Sequence, residues 1–109
     1  MKNLNYSIKR NKKTIVSSET NYINNKNEIT FFHDSIKIII NTKDSSFIRE
    51  TGDDILFINR ENSYIYLKIE NIKFNIQLDE FNFFIKKKAI SISYKISGDD
   101  ETVNIDIYL

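Results

Sequence analysis

The sequence contains no cysteine and only one histidine, His33. Without cysteine there is no disulfide framework, no thiolate metal site and no cysteine nucleophile. A zinc site takes three or four ligands, mostly of the Cys and His type, and a single histidine does not supply them. We therefore expect neither a metal nor another cofactor. The absence of cysteine also fits a reducing compartment, so we expect a cytoplasmic protein.

The chain also lacks a long apolar run and an excess of either charge. No segment is long and apolar enough for a signal peptide or a membrane span, so we expect a soluble protein with no membrane partner. Sixteen basic and fifteen acidic residues give a net charge of +1. Nucleic-acid-binding proteins usually carry a clear basic excess, so this balance does not favour nucleic acid as a partner.

Helix-forming residues are scarce, and strand-forming residues are abundant. Alanine occurs once and proline is absent, whereas isoleucine occurs 21 times and asparagine 14 times. β-Branched and aromatic residues favour strands over helices. Asparagine favours turns, which it supplies here in place of proline. The composition therefore predicts an all-β protein.

Apolar and polar residues alternate through most of the chain, which is typical of antiparallel strands with one buried face. The alternation is clearest over residues 72–78, 89–97 and 102–109. Further strands are predicted over residues 4–8, 13–23, 29–33, 36–41, 47–49, 55–58, 64–69 and 81–86. The polar clusters between the strands are short, so neighbouring strands are expected to pair as hairpins.

The predicted hairpins follow one another without a long connection, which favours an up-and-down meander. An open meander leaves two bare strand edges, and closure into a barrel removes them. We therefore predict one domain, residues 1–109, folded as an antiparallel up-and-down β-barrel of roughly 8–10 strands.

The segment FIRETGDDILFI, residues 47–58, combines an arginine, a glycine and two aspartates. Apolar residues flank it on both sides, so we interpret it as a hairpin in which Gly52 adopts a positive φ. Arg49 and the aspartates are then expected to pair across the turn, with a stabilisation of about 0–1 kcal/mol. An arginine pointing into the barrel would instead indicate a site, since a buried guanidinium needs an anionic partner.

The order of these segments resembles the YwiB-like family of uncharacterised bacterial proteins. The likeness covers residues 12–109 and is sharpest at Arg49–Gly52 and Ser91–Tyr94. It is carried by the segments NEITFFHD, IKIIIN, FIRETGDDILFI, SYIYLKIENIKFNIQL and AISISYKISGDDETVNIDIYL. The resemblance implies a calycin-type, lipocalin-like antiparallel barrel from a bacterium. It implies no established activity.

Catalytic and calcium-binding residues are only weakly indicated. His33 and Asp34 form the one pair that suits base catalysis, but no nucleophile elbow accompanies the serines that follow, Ser35, Ser45 and Ser46. Five acids lie in predicted turns without the spacing that converges oxygens on calcium, namely Asp53, Asp54, Asp99, Asp100 and Glu101. We therefore interpret the histidine as a polar strand end and the acids as solvated, and we expect no enzyme activity.

Lysines beside aromatic residues are the one feature that favours single-stranded nucleic acid. The run Lys86–Lys88 follows Phe81, Phe83 and Phe84. Two acids, Asp79 and Glu80, come directly before it. We interpret residues 79–92 as two strands joined at a lysine-rich bend, because lysines also protect sheet edges from unwanted pairing.

The apolar strand faces remain as a candidate site, because a barrel of this size is either packed solid or holds one small ligand. The leading hypothesis is non-enzymatic binding of a small apolar ligand in the barrel interior or mouth. The candidate lining residues are Tyr64, Tyr66, Phe74, Tyr94 and Arg49. The alternative is a structural or protein-interaction module with a packed core, acting through its outer face or an edge strand.

Overall fold

The computed structural model describes residues 2–109, which form ten antiparallel β-strands in one closed barrel. The strands are β1 (Lys2–Arg10), β2 (Lys13–Asn25), β3 (Glu28–His33), β4 (Ile36–Asn41), β5 (Ser46–Thr51), β6 (Asp54–Asn59), β7 (Tyr64–Ile69), β8 (Ile72–Lys86), β9 (Ala89–Ile96) and β10 (Thr102–Tyr108). Each strand pairs with the next along the chain, and β1 pairs with β10. The predicted all-β, up-and-down barrel is therefore confirmed. Residues 2–109 contain no helix that could span a membrane.

The core lies inside the barrel, where the alternating side chains of every strand meet. Ile38 and Ile40 of β4 point inward, and the intervening Ile39 points outward and is half-buried. The buried apolar residues are Leu4, Tyr6, Tyr22, Ile29, Phe31, Ile38, Ile40, Phe47, Leu56, Ile58, Ile65, Leu78, Phe83, Ile90, Ile92, Ile105 and Ile107. Their burial is the main favourable contribution to folding.

Short turns with left-handed backbone connect the strands. Gly52 has a φ of 60°, as predicted for this hairpin. An added Cβ at Gly52 would meet no atom within 4 Å, so backbone conformation, and not space, favours glycine there. Asn11 and Asn71 adopt the same region in their turns, with φ of 52° and 67°. Asparagine tolerates this conformation better than most residues, which explains its use as a turn former here.

Strand β8 is continuous, although the sequence predicted two strands separated by a turn at Asp79 and Glu80. Its pairing with β9 shifts register between Leu78 and Glu80, so Asp79 is the extra residue of a β-bulge. The extra residue reverses which alternate positions of the strand point inward. Before the bulge the inward residues end with Leu78, and after it they resume at Phe81. The two-strand prediction is wrong because a polar pair was interpreted as a turn.

The two ends of the barrel differ in packing. At one end, which we call the closed end, most inward aliphatic side chains are fully buried, including Leu4, Ile40 and Ile58, and Ile85 beside the turn at residues 87–88 is an exception at 50% exposed. At the opposite end, which we call the open end, the hairpin turns are residues 11–12, 34–35, 52–53, 70–71 and 97–101. Inward side chains near these turns are only half-buried, such as Ile8 and Ile36. The interior is therefore packed at one end and accessible at the other.

The assignment of inner and outer faces can be tested on β4. Ile40→Ala should lower the free energy of unfolding by about 2–5 kcal/mol, because it leaves a cavity in the core. Ile39→Ala removes the same atoms from the outer face and should cost about 1 kcal/mol or less. Urea unfolding of both variants measures the difference. Equal losses would contradict the register.

Candidate functional site

The open end is accessible because two strand pairings stop before they reach it. Strand β2 pairs with β3 only from Tyr22 to Asn25, so over residues 14–21 its only paired neighbour is β1. Strand β8 pairs with β9 only from Leu78 onward, so residues 72–77 pair with β7 alone. The wall therefore separates at two places, and inward side chains there keep contact with solvent.

A recess of about 180 Å³ enters the barrel at the open end, beside the separation between β2 and β3. We call it the mouth recess. Its lining is mostly apolar, with two arginines, a histidine and a tyrosine among the aliphatic side chains. The lining residues are Tyr6, Ile8, Arg10, Ile15, Val16, His33, Ile36, Ile38 and Arg49. An apolar concavity with a few polar groups is the usual character of a small-molecule site.

A β-bulge in β2 contributes to this lining. Ile8 pairs with Val16 and Lys9 pairs with Thr14, so Ile15 is left without a partner in β1. Bulges re-aim a side chain and are common at barrel rims. Ile15 is more than half exposed and lines the mouth recess together with Val16, its neighbour in sequence. The bulge thus allows two consecutive residues to line one apolar surface.

A second recess, of about 260 Å³, lies on the other side of Arg49. We call it the side recess. Its lining residues are Arg49, Thr51, Asp54, Ile55, Leu56, Leu67 and Ile69. Arg49 borders both recesses, so its side chain lies between them.

Arg49 lies on the inner face of the barrel, opposite the buried residues Ile38 and Leu56 of the adjacent strands. Its side chain is near the open end and remains exposed to solvent. Within residues 2–109 it forms no ion pair, so the predicted pairing with the turn aspartates is wrong. Asp54 lies opposite Thr51, and its Oδ1 instead accepts a hydrogen bond from the Glu70 backbone N–H at 3.2 Å. The guanidinium is therefore solvated and available to a ligand.

The phenol of Tyr94 lies close enough to both arginines to be influenced by their charges. It lies on the inner face of β9, opposite Phe81 and Val103. Burial raises the pKa of the Tyr94 phenol, and the positive charges of Arg49 and Arg10 act in the opposite direction. Three strands separate β9 from β5 around the wall, so Arg49 influences Tyr94 across the lumen. Arg10 also forms an exposed ion pair with Glu101, with 3.5 Å between Nε and Oε2.

The phenol of Tyr6 lies at the base of the mouth recess. Its ring packs against Phe31 at 5.0 Å and against His33 at 5.4 Å between ring centroids. The hydroxyl is buried and has no hydrogen-bond partner within residues 2–109. Burial, followed by the negative charge of Asp34, raises the pKa of Tyr6 to about 12. An unpaired buried hydroxyl costs free energy, so a ligand acceptor here would gain a hydrogen bond at a site that is already desolvated.

The predicted lining residues divide between the two faces of the sheet. Arg49 and Tyr94 line the interior, and Phe74 lies on the inner face of β8, where it is 41% exposed near the open end. Tyr64 and Tyr66 lie on the outer face, because the intervening Ile65 is buried in the core. Their assignment to the interior is wrong. The segment YIYL has large apolar residues on both faces, so alternation alone did not identify the inner one.

Of the residues that line the mouth recess, only Arg49 was among the predicted lining residues, and the polar residues that the prediction missed are Tyr6, Arg10 and His33. A signal for Arg10 exists in the sequence. Leu4, Tyr6, Ile8 and Arg10 recur at every second position, which places the arginine on the same face as three apolar residues. The prediction missed it because the first strand was predicted to end at Ile8, which left Arg10 in the polar cluster between the first two strands.

The weaker candidates do not assemble into a site among residues 2–109. His33 Nε2 lies 3.4 Å from Asp34 Oδ2, but no serine hydrogen-bonds to this pair. The described chain contains no cluster of three or more His, Asp or Glu side chains that could hold a metal. Of the aromatics before the lysine run, Phe81 and Phe83 face inward and Phe84 is exposed. Only one ring is therefore exposed for stacking beside the lysines.

No family model, curated protein or solved structure matches this chain.

Tyr6 should make stability depend on alkaline pH. A tyrosine in an unfolded chain has a pKa of about 10, below the folded value of about 12. The unfolded state therefore loses its proton first, and stability falls as pH rises from about 10 to about 12. We expect urea unfolding at pH 9 and 11.5 to show a smaller loss for Tyr6→Phe than for the wild type. The exposed Tyr108→Phe control should lose as much as the wild type, and an equal loss in all three proteins would contradict the prediction.

Proposed function

We propose that this protein is a non-enzymatic binding protein, which takes up a small, largely apolar ligand at the open end of its barrel. One observation carries the proposal. Inward aliphatic side chains such as Leu4, Ile40 and Ile58 are fully buried at the closed end, whereas Ile8, Val16 and Ile36 are only half-buried around the mouth recess. The lipocalin-like resemblance of the sequence is consistent with this use of a barrel, since barrels of this class hold one small ligand.

The exposed apolar surface of the recess supplies the driving force. Ile8, Val16 and Ile36 line it and are half-buried without a ligand. Removing apolar surface from water stabilises a complex by about 25 cal/mol per Å² before association costs. Ligand pockets commonly measure about 300–1,000 Å³. The mouth and side recesses reach that range together but not singly, which favours a compact ligand.

A binding role is preferred to catalysis because His33 and Asp34 have no nucleophile beside them in the described chain. Covalent catalysis of this type needs a base within hydrogen-bond reach of an activated nucleophile.

We also propose a cytoplasmic location, in agreement with the lack of cysteine.

A second candidate function uses the outer face. Ile39, Ile48, Phe57 and Tyr66 are aligned by register across β4 to β7 and are half-buried. A groove of about 380 Å³ runs beside this row, and its lining includes the acids Glu28, Asp44 and Glu61. This combination favours a protein-interaction module whose partner presents apolar and basic side chains.

A pair of tryptophan substitutions on β4 distinguishes the two functions. Ile36→Trp fills the mouth recess, whereas Ile39→Trp adds the same bulk to the outer face. We expect the wild type and Ile39→Trp to bind benzyl alcohol, an uncharged single-ring probe of a size that fits the mouth recess, as measured by NMR chemical shifts. Ile36→Trp should bind at least about tenfold more weakly, since the ligand no longer fits.

Thermal unfolding establishes that both tryptophan variants fold. Loss of benzyl alcohol binding in Ile39→Trp alone would favour the outer face. Absence of benzyl alcohol binding by the wild type would overturn the proposed function.

A further inference from the structure

We infer that the ligand of the open end is a small monocarboxylic acid, whose carboxylate lies between Arg10 and Arg49 and whose apolar body packs on Ile8, Val16 and Ile36. This inference rests on the proposed function and specifies its ligand class. The supporting observations are the convergence of positive charge, the set of hydrogen-bond donors, the size of the recess and the acids at its rim.

Two guanidinium groups from distant strands converge on one recess. Arg10 ends β1 and Arg49 lies in β5, and both line the mouth recess. Like charges repel, so an anion placed between them is stabilised by both. Arg10 has one exposed ion pair, with Glu101, and Arg49 has none among residues 2–109. The recess therefore contains positive charge that the described chain neutralises only in part.

The neutral polar groups beside the arginines are also donors. Tyr6 lines the recess and its buried hydroxyl has no partner among residues 2–109, and the Tyr94 phenol lies within the electrostatic reach of both guanidiniums. Tyrosine hydroxyls are protonated at neutral pH even at their ordinary pKa of about 10, and burial raises the pKa of both phenols further. Protonated phenols and guanidiniums all donate to an anionic oxygen, and such charge-assisted bonds are stronger than neutral ones.

The size of the recess limits the apolar part of the ligand. Its volume of about 180 Å³ corresponds to about six water molecules in the liquid, at about 30 Å³ each. A single aromatic ring or a short alkyl chain with one carboxylate fits this space. A long acyl chain fits only if it passes Arg49 into the side recess.

Acidic groups at the rim restrict the charge of the ligand. Asp34 lies in a turn of the open end, Asp54 lines the side recess, and Glu101 pairs with Arg10. These carboxylates lower the positive potential of the open end as a whole. A monoanion that reaches the guanidiniums is accepted, whereas a polyphosphate or a nucleic acid would meet the rim acids.

Benzoate and benzyl alcohol form a matched pair of probes, because they share the ring and differ in charge. Titrations followed by NMR chemical shifts should show that the wild type binds benzoate at least about tenfold more tightly than the alcohol. Arg49→Met keeps the length of the side chain and should reduce the benzoate affinity to that of the alcohol. Lys37→Met removes one positive charge from the outer face of β4 and should leave the preference unchanged.

The outcomes separate the inference from the proposed function. If the wild type binds both probes equally, the open end binds ligands but the carboxylate preference is overturned. If neither probe binds, the proposed function fails as well. If Arg49→Met and Lys37→Met reduce benzoate binding equally, net charge and not the recess explains the preference, which also overturns the inference. Unchanged thermal unfolding confirms that each variant is folded.

Discussion

The pairing of β1 with β10 is the interaction on which the rest of the structure depends. Six residue pairs, from Asn5–Tyr108 to Arg10–Val103, join the first strand to the last. This ladder removes the two edges that a ten-strand meander would otherwise leave open. It also creates the lumen, because only a closed sheet gives its strands a common interior. Arg10 lies at the end of the strand that closes the wall, and it lines the same recess as Arg49.

Unequal strand lengths then make the two ends of the barrel different. The strands β2 and β8 are longer than the segments that pair with β3 and β9. The unpaired part of each lies at the open end. The bulge at Asp79 allows β8 to serve two neighbours while its apolar residues stay inside. The closed end thus acquires the core that stabilises the fold. The open end keeps apolar surface that the core does not use.

The alternation of the sequence was sufficient to predict the fold, because most strands have one polar and one apolar face. Gly52 was predictable for a similar reason, since a tight hairpin needs positive φ there. The site was less predictable. Where both faces are apolar, as around Tyr64 and Tyr66, a period of two does not identify the inner face. The inward position of Arg49 depends on the register of β5 with β4 and β6. The open end depends on how many residues of neighbouring strands pair with each other, which local sequence does not specify.

The short turns of the open end also have a kinetic consequence. Four of its five connections consist of two residues each, so the rim has no long loop that could close over a ligand. The residence time of a bound acid would then be set by its contacts with the recess and not by the opening of a lid. Occupancy would follow the surrounding concentration quickly. A protein of this kind is suited to buffering or reporting the level of a small molecule, and poorly suited to trapping it.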